Sequence, residues 1–181
     1  MEKVAKFLFE AGSLKLIPRT GWIKLGIKNP ESVAEHSFRT SILAFIIAYL
    51  ETSDFEKACK SALLGLIHDL PEARTFDIHK LSRKYVEVDS ARALEDQLSL
   101  LPAELRKKIK QLEGEVGEFV KDADELELFL QAKEYSEQTR SALIYADKKL
   151  KTKLKTATAK KLAEVIEKTD HRWWLDFEVS L

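Results

Sequence analysis

The sequence predicts an all-α protein, a single bundle of about seven helices. Three observations point there. Apolar residues recur at three- and four-residue intervals along most of the chain. Alternation of apolar and polar residues, the mark of a half-buried strand, is nearly absent. Glycine (6) and proline (4), the residues that interrupt helices, are sparse among 181 residues. One domain is expected at this length, so 1–181 reads as a single unit without repeat, low-complexity stretch or dividing linker.

The first helix is expected over about Lys3–Leu14, with Val4, Phe7, Leu8 and Ala11 on one face. Pro18–Pro30 reads as a loop, marked by Gly21, Gly26 and Asn29-Pro30. The second helix covers about Val33–Glu51, and Ser32 and Glu35 have the spacing of a capping box. From Ile42 onward it is apolar nearly all round, which predicts a central, buried position. The third runs from about Phe55 to Asp69, with Asp54 as N-cap. Pro71 disturbs its end, because proline lacks an N–H and biases Leu70 away from helical angles. A looser stretch over about Glu72–Leu81 follows. Further helices are expected at about Ser90–Leu100, Pro102–Gln111, Glu115–Ser136 and Ser141–Lys168. The tail from His171 to Phe177 is apolar enough to dock back on the body.

Bulk properties exclude several classes of function. Lys plus Arg (30) balance Asp plus Glu (30), whereas a dedicated nucleic-acid binder carries a basic excess. The basic run Lys148–Lys161 reads as a solvated helix face. The most apolar stretch, Ile42–Leu50, is too short to span a bilayer, and Met1-Glu2-Lys3-Val4 lacks the apolar core of a signal peptide. Cys59 is the only cysteine and, among Ala58, Ala62 and Leu63, reads as a buried structural thiol. A cytoplasmic protein with neither membrane nor nucleic-acid partner is the expectation.

The chemistry rests on a few polar residues in apolar company. On the second helix His36 shares a face with Thr40, Leu43 and Ile47, an inward face. On the third, His68-Asp69 closes the apolar run Leu63-Leu64-Gly65-Leu66-Ile67. A buried histidine beside a buried carboxylate needs a partner, and a divalent metal serves both. Glu72 lies about one turn beyond His68 and Asp69. A further anionic ligand is expected from the helix Glu115–Ser136, whose stripe runs through Phe119, Ala123, Leu126 and Leu130. Asp122 points away from that stripe, while Asp124 and Glu127 lie on its flank, and spacing does not choose between these two.

The order His36, His68-Asp69, Asp124 resembles the HD superfamily of metal-dependent phosphohydrolases. Arg19-Thr20-Gly21-Trp22, the stretch Asn29–His36, His68-Asp69-Leu70-Pro71-Glu72 and Asp77 resemble its 5'-deoxynucleotidase branch, over about Phe7–Tyr135. The resemblance implies an HD-type helical bundle with the metal site in its core and picks His36, His68, Asp69 and Asp124 as ligands. It implies that Glu72 and Asp77 serve turnover and that Arg19, Trp22, Asp69, Asp77 and Lys80 contact a small nucleotide substrate. Trp22 would crowd the sugar's 2' position and so favour deoxyribose. Bacterial members carry an arginine directly before the tryptophan; here Gly21 stands there, and the resemblance leaves Arg19, at another backbone position, as the candidate to orient the phosphate. The implied activity is hydrolysis of deoxyribonucleoside 5'-monophosphates by a homodimer with one divalent ion. Mn²⁺ or Co²⁺ is favoured by the resemblance, and the N/O ligand set also accommodates Zn²⁺, Fe²⁺ or Ni²⁺. The rival readings are an HD phosphohydrolase for cyclic nucleotides or guanosine polyphosphates, and a non-catalytic helical scaffold. Trp22 argues against the first, and Glu72 and Asp77 beside a complete ligand set argue against the second.

Overall fold

The computed structural model describes residues 1–147 and 150–176, and among them there are ten α-helices and no strand. They are α1 (Glu2–Gly12), α2 (Thr20–Lys24), α3 (Val33–Thr52), α4 (Phe55–Ile67), α5 (Glu72–Thr75), α6 (Ser90–Leu98), α7 (Ala103–Tyr135), α8 (Ser141–Asp147), α9 (Leu150–Lys153) and α10 (Ala157–Lys168). None of the described helices is long and apolar enough to cross a membrane. The all-α class expected from periodicity is the class observed.

The body is built on α3, α4 and α7, which pack on one another more extensively than any other elements. The predicted capping box starts α3: the Ser32 hydroxyl accepts from the Glu35 N–H, and the Glu35 carboxylate accepts from the Ser32 N–H at 2.6 Å. Asp54 caps α4 by accepting from the Lys57 N–H at 3.0 Å. At the α3–α4 crossing a Cβ on Gly65 would lie 2.9 Å from the Ser41 Cα, so only glycine lets the two backbones approach this closely. Ser41 seals the crossing by donating to the Ala62 carbonyl at 2.8 Å. This contact sets the C-terminal end of α4, which carries His68 and Asp69, against the face of α3 that carries His36. Ala44, Ile47 and Ala48 of α3, Ala58 and Leu64 of α4, and Val116, Phe119, Ala123 and Leu126 of α7 fill the core between them.

Several expectations meet corrections. The two helices expected at Pro102–Gln111 and Glu115–Ser136 are one 33-residue helix, α7. Gly114 and Gly117 each cost about 1 kcal/mol in a helix. Burial of Leu112, Val116 and Phe119 against the core on either side offsets that cost. The single helix expected over Ser141–Lys168 is interrupted between α9 and α10. The break is stabilised by Asp122, which does not sit on an outer face as its angle suggested. It is buried and accepts from the N–H groups of Lys155 (2.9 Å) and Thr156 (2.8 Å) and from the Thr156 hydroxyl (2.7 Å). Thr156 in turn caps α10.

Pro18–Pro30 contains the short helix α2 and is pinned at both ends. The Arg19 N–H donates to the Glu31 carbonyl (2.9 Å) and the Val33 N–H to the Ile17 carbonyl (2.8 Å). α3 is not buried all round, since Phe38, Ile42, Ile46, Tyr49 and Leu50 form an exposed stripe. Cys59 is exposed, on the outer side of α4. The tail does not bury its aromatic residues as expected: Trp173 and Trp174 are each 58% exposed, and Phe177 lies outside the described residues.

Candidate metal and phosphate site

His36 projects from the first turns of α3 into the interior and is 0% exposed. Its Nδ1 lies 2.6 Å from a Glu127 carboxylate oxygen on α7. That oxygen is an acceptor, which fixes Nδ1 as the protonated nitrogen and turns Nε2 inward. Across from it, His68 donates its Nδ1–H to the Gly65 carbonyl at 2.8 Å, which leaves a lone pair on Nε2 by the same logic. The ring centres are 5.4 Å apart. His36 Nε2 lies 3.1 Å from Asp124 and 3.5 Å from Asp69, and His68 Nε2 lies 3.4 Å from Asp69. Yet neither Nε2 makes a hydrogen bond of acceptable geometry, although both are buried.

Two buried ring nitrogens without hydrogen-bond partners, close to carboxylates, form a donor set for a cation. Ligand atoms of His36, His68 and Asp124 all lie within 4.8 Å of one another, and Asp69 flanks both imidazoles. A second trio, Glu31, His36 and Glu127, meets the same distance limit on the far side of the ring. There the imidazole nitrogen already donates to Glu127 and Glu31 accepts from the Trp22 indole N–H at 2.8 Å, so the Nε2 side is the one with uncommitted donors.

Electrostatics agree with this fit. Burial opposes charge on His36, but the Asp124 and Glu127 carboxylates outweigh it and hold the imidazole pKa up at about 10. Burial likewise opposes charge on Asp124, and the His36 imidazole overcomes it, keeping that carboxyl well below the usual range. The site thus retains a proton where a divalent ion would supply positive charge, and loading the ion would displace that proton.

Next to the donors opens a pocket of about 240 Å³ lined by Arg19, Asp69, Glu72, Asp77, Lys80 and Asp124, together with Ile78, His79 and Arg83. Arg19 precedes α2 and donates to Asp69 at 3.1 Å. Despite burial, the surrounding carboxylates of Asp69, Asp77, Asp124 and Glu72 keep its guanidinium firmly charged. Asp77 holds that arm in place, accepting from the Thr20 N–H at 2.7 Å while its own carbonyl accepts from the Thr20 hydroxyl at 2.9 Å. Glu72 is buried at the start of α5, with one carboxylate oxygen lacking a hydrogen-bond partner. Burial, and then the nearby Asp69 and Asp77 carboxylates, push its pKa up to about 8. Lys80 lies 5.8 Å over the Tyr145 ring centre, and burial lowers its pKa.

Of the residues singled out in the sequence, all but one meet here. Trp22 is 1% exposed, packed edge-on against Tyr135 (5.2 Å) and Tyr145 (5.8 Å), and does not line the pocket. Its contacts hold the short helix α2, which Arg19 precedes, against α7 and α8. Asp124 and Glu127, which spacing left as alternatives, grip opposite nitrogens of the same ring. Arg39 went unnoticed in the sequence: its guanidinium donates to Glu127 (3.0 and 2.9 Å) and to Gln131 (2.7 Å). The available signal was its position, one turn after His36 on the same side of α3.

The HD domain family matches residues 11–166. Human 5'-deoxynucleotidase HDDC2 is 33% identical over 142 residues, 73% of this chain and 68% of that protein. The Danio rerio protein of the same name is 35% identical over 147 residues, 76% of this chain and 72% of that one. Among solved structures, coding region AF1432 from Archaeoglobus fulgidus superposes with a TM-score of 0.69 at 41% identity, covering 96% of this chain and 99% of that one.

Proposed function

Because the chain belongs to the HD domain family, we propose that it hydrolyses deoxyribonucleoside 5'-monophosphates to deoxyribonucleosides and phosphate. One divalent metal ion would be held by His36, His68, Asp69 and Asp124. The observation that carries the reading is the pair of buried, unpartnered Nε2 atoms beside two carboxylates, opening onto a pocket with a fixed arginine. The names of the relatives supply the substrate class. When bound, the ion supplies a polarising charge that acidifies water and draws density from the phosphoryl oxygen. Mn²⁺ and Co²⁺ are the ions to load first.

The chain's own residues do the rest. The Arg19 guanidinium, aimed by Asp69, meets the non-bridging phosphate oxygens, whose planar array suits its fork of donors. Burial and the Asp69 and Asp77 carboxylates raise the Glu72 pKa to about 8 in the metal-free site; the positive charge of a bound ion would lower it, so that Glu72 is ionised, takes the proton released as water adds to phosphorus and returns it to the leaving oxygen. Asp77 accepts from the Thr20 N–H with one oxygen and lines the pocket, where its carboxylate would assist proton transfer or hold a sugar hydroxyl. The P–O5' bond breaks and the leaving oxygen takes a proton. Arg19 and Asp77 hold their positions through contacts made before substrate arrives, as phosphoryl transfer requires.

The decisive experiment is phosphate release from matched deoxyribo- and ribonucleoside monophosphates with each added metal. Turnover dependent on metal, faster on the deoxy substrates and lost in His68→Ala and Asp69→Ala, is expected. Stoichiometric metal binding by the doubly substituted protein would place the metal elsewhere. A homodimer belongs to the same proposal, through the outward stripe of α3 formed by Phe38, Ile42, Ile46, Tyr49 and Leu50. Light scattering of the parent and of Ile42→Lys, expected dimeric and monomeric, tests it.

A further inference from the structure

The turn that carries His68, Asp69 and Glu72 is held from outside the site by a buried amide. Gln97 of α6 is 0% exposed, and no step proposed above uses it. Its Nε2 donates to the Leu70 carbonyl at 2.9 Å and to a carboxylate oxygen of Glu10, on α1, also at 2.9 Å. Glu10 is gripped in turn by Arg74 of α5, whose Nε and Nη2 donate to its two oxygens at 2.5 and 3.0 Å. The Arg74 guanidinium keeps the Glu10 carboxyl below its usual range, so it remains an acceptor.

The place of Leu70 gives these contacts their interest. It lies between Asp69, a proposed metal ligand, and Glu72, the proposed proton acceptor. Pro71 denies the turn one N–H. The backbone bonds that shape it are short-range: Leu70 to the Ile67 carbonyl, Glu72 to the Asp69 carbonyl and Ala73 to the Leu70 carbonyl, each at 3.0 Å. Such bonds fix the shape of a turn but not its direction relative to the rest of the fold. The Gln97 amide reaches it from a helix 27 residues further on. Leu70 also packs in a small apolar core with Leu14, Ile17 and Val33, which Leu94 of α6 flanks. An aliphatic side chain at 97 would serve that packing. The amide instead keeps its Oε1 buried without a hydrogen-bond partner, a cost that packing does not explain.

Resting on the metal-dependent hydrolase reading of the site, we infer that Gln97 is a positioning residue for this turn. Its amide, braced by Glu10 and Arg74, sets the Leu70 carbonyl and with it the placement of Asp69 and Glu72 about the metal. Metal affinity and turnover therefore depend on α1 and α6, helices that supply no proposed ligand and do not line the phosphate pocket.

Three variants test this. Gln97→Met removes both hydrogen bonds while keeping an unbranched side chain of similar length and leaving the charge unchanged. Glu10→Leu releases the same amide from its partner on α1. Leu94→Ala is the control, because it loosens the same small core from the same helix without touching a hydrogen bond of the turn. Each is measured for Co²⁺ affinity by competition with a chromophoric chelator, for the visible absorption of bound Co²⁺, which reports ligand geometry, and for melting temperature. On 2'-deoxyadenosine 5'-monophosphate, kcat and KM are measured separately. Gln97→Met should lower Co²⁺ affinity and kcat by about tenfold each, with an altered Co²⁺ spectrum and KM within about twofold of the parent. Glu10→Leu should move affinity, spectrum and kcat the same way by a smaller factor. Leu94→Ala should lower the melting temperature and keep affinity and kcat within about twofold of the parent. A Gln97→Met protein that melts earlier but keeps the parent's affinity, spectrum and kcat would overturn the inference, as would equal losses in Leu94→Ala. If Gln97→Met does not fold, Glu10→Leu decides by the same criteria. A parent that binds Co²⁺ yet hydrolyses no nucleotide would refute the hydrolase reading instead, and the affinities and spectra would still decide the role of Gln97.

Discussion

Glu127→Gln isolates what the carboxylate behind His36 contributes to metal affinity. The His36 Nδ1 to Glu127 separation is 2.6 Å, and both side chains are buried, so the contact is a charge-assisted hydrogen bond with little solvent screening. Glutamine keeps the acceptor oxygen and the volume but removes the charge. Nδ1–H remains satisfied and Nε2 still faces the donors, so the imidazole stays aimed while losing basicity. Hydrogen bonds to charged groups contribute about 1.5–3 kcal/mol, and the retained neutral bond recovers part of that. The remainder, about 1–2 kcal/mol, corresponds to a loss of about 5- to 30-fold in metal affinity, which overlaps the range usual for partners that orient a ligating histidine. Arg39 keeps Glu134 and Gln131 as acceptors, so the substitution does not strand its charge. The assay is competition with a chromophoric chelator for Mn²⁺ or Co²⁺, with a thermal melt to verify folding. An affinity within about twofold of the parent in a folded Gln variant would refute the reasoning that Glu127 acts through His36.

Two further outcomes follow from burial. Trp22→Ala removes a fully buried indole and leaves Glu31 without its donor, so a loss of about 3–5 kcal/mol in chemical denaturation is expected. Activity should then fall together on deoxyribo- and ribonucleotides; a selective gain on ribonucleotides would mean that the ring does face the sugar. Glu72→Gln tests the raised carboxyl in metal-free protein. A folded pKa of about 8 against 4.5 unfolded means that Glu72 supports folding fully below about pH 4.5 and loses that contribution as pH rises toward 8. Gln mimics the protonated form at every pH, so the variant's melting temperature should gain on the parent's between about pH 5 and about pH 9. A difference constant with pH would show that Glu72 is not held neutral.

Much of the architecture was legible because helical periodicity is a local property. The 3.6-residue repeat identified the all-α class. Ser32 and Glu35 marked the start of α3, and the angular position of His36 with Thr40, Leu43 and Ile47 identified a face that proves fully or largely buried. The HD resemblance selected the donor residues, and their order along the chain carries that information without any fold. What lay outside the sequence was everything decided by residues distant along it. The angle of Asp122 on α7 pointed outward, and only the docking of Lys155 and Thr156, more than thirty residues later, made that side interior. Glu127 and Asp124 are equivalent by spacing until α3 inserts an imidazole between them, 91 residues from Glu127. A tryptophan on a five-residue helix has no periodic neighbours to reveal its surroundings, so the burial of Trp22 awaited Tyr135 and Tyr145. The continuity of α7 through Gly114 and Gly117 reflects core contacts that outweigh a local helix penalty, and such contacts exist only once the chain has folded.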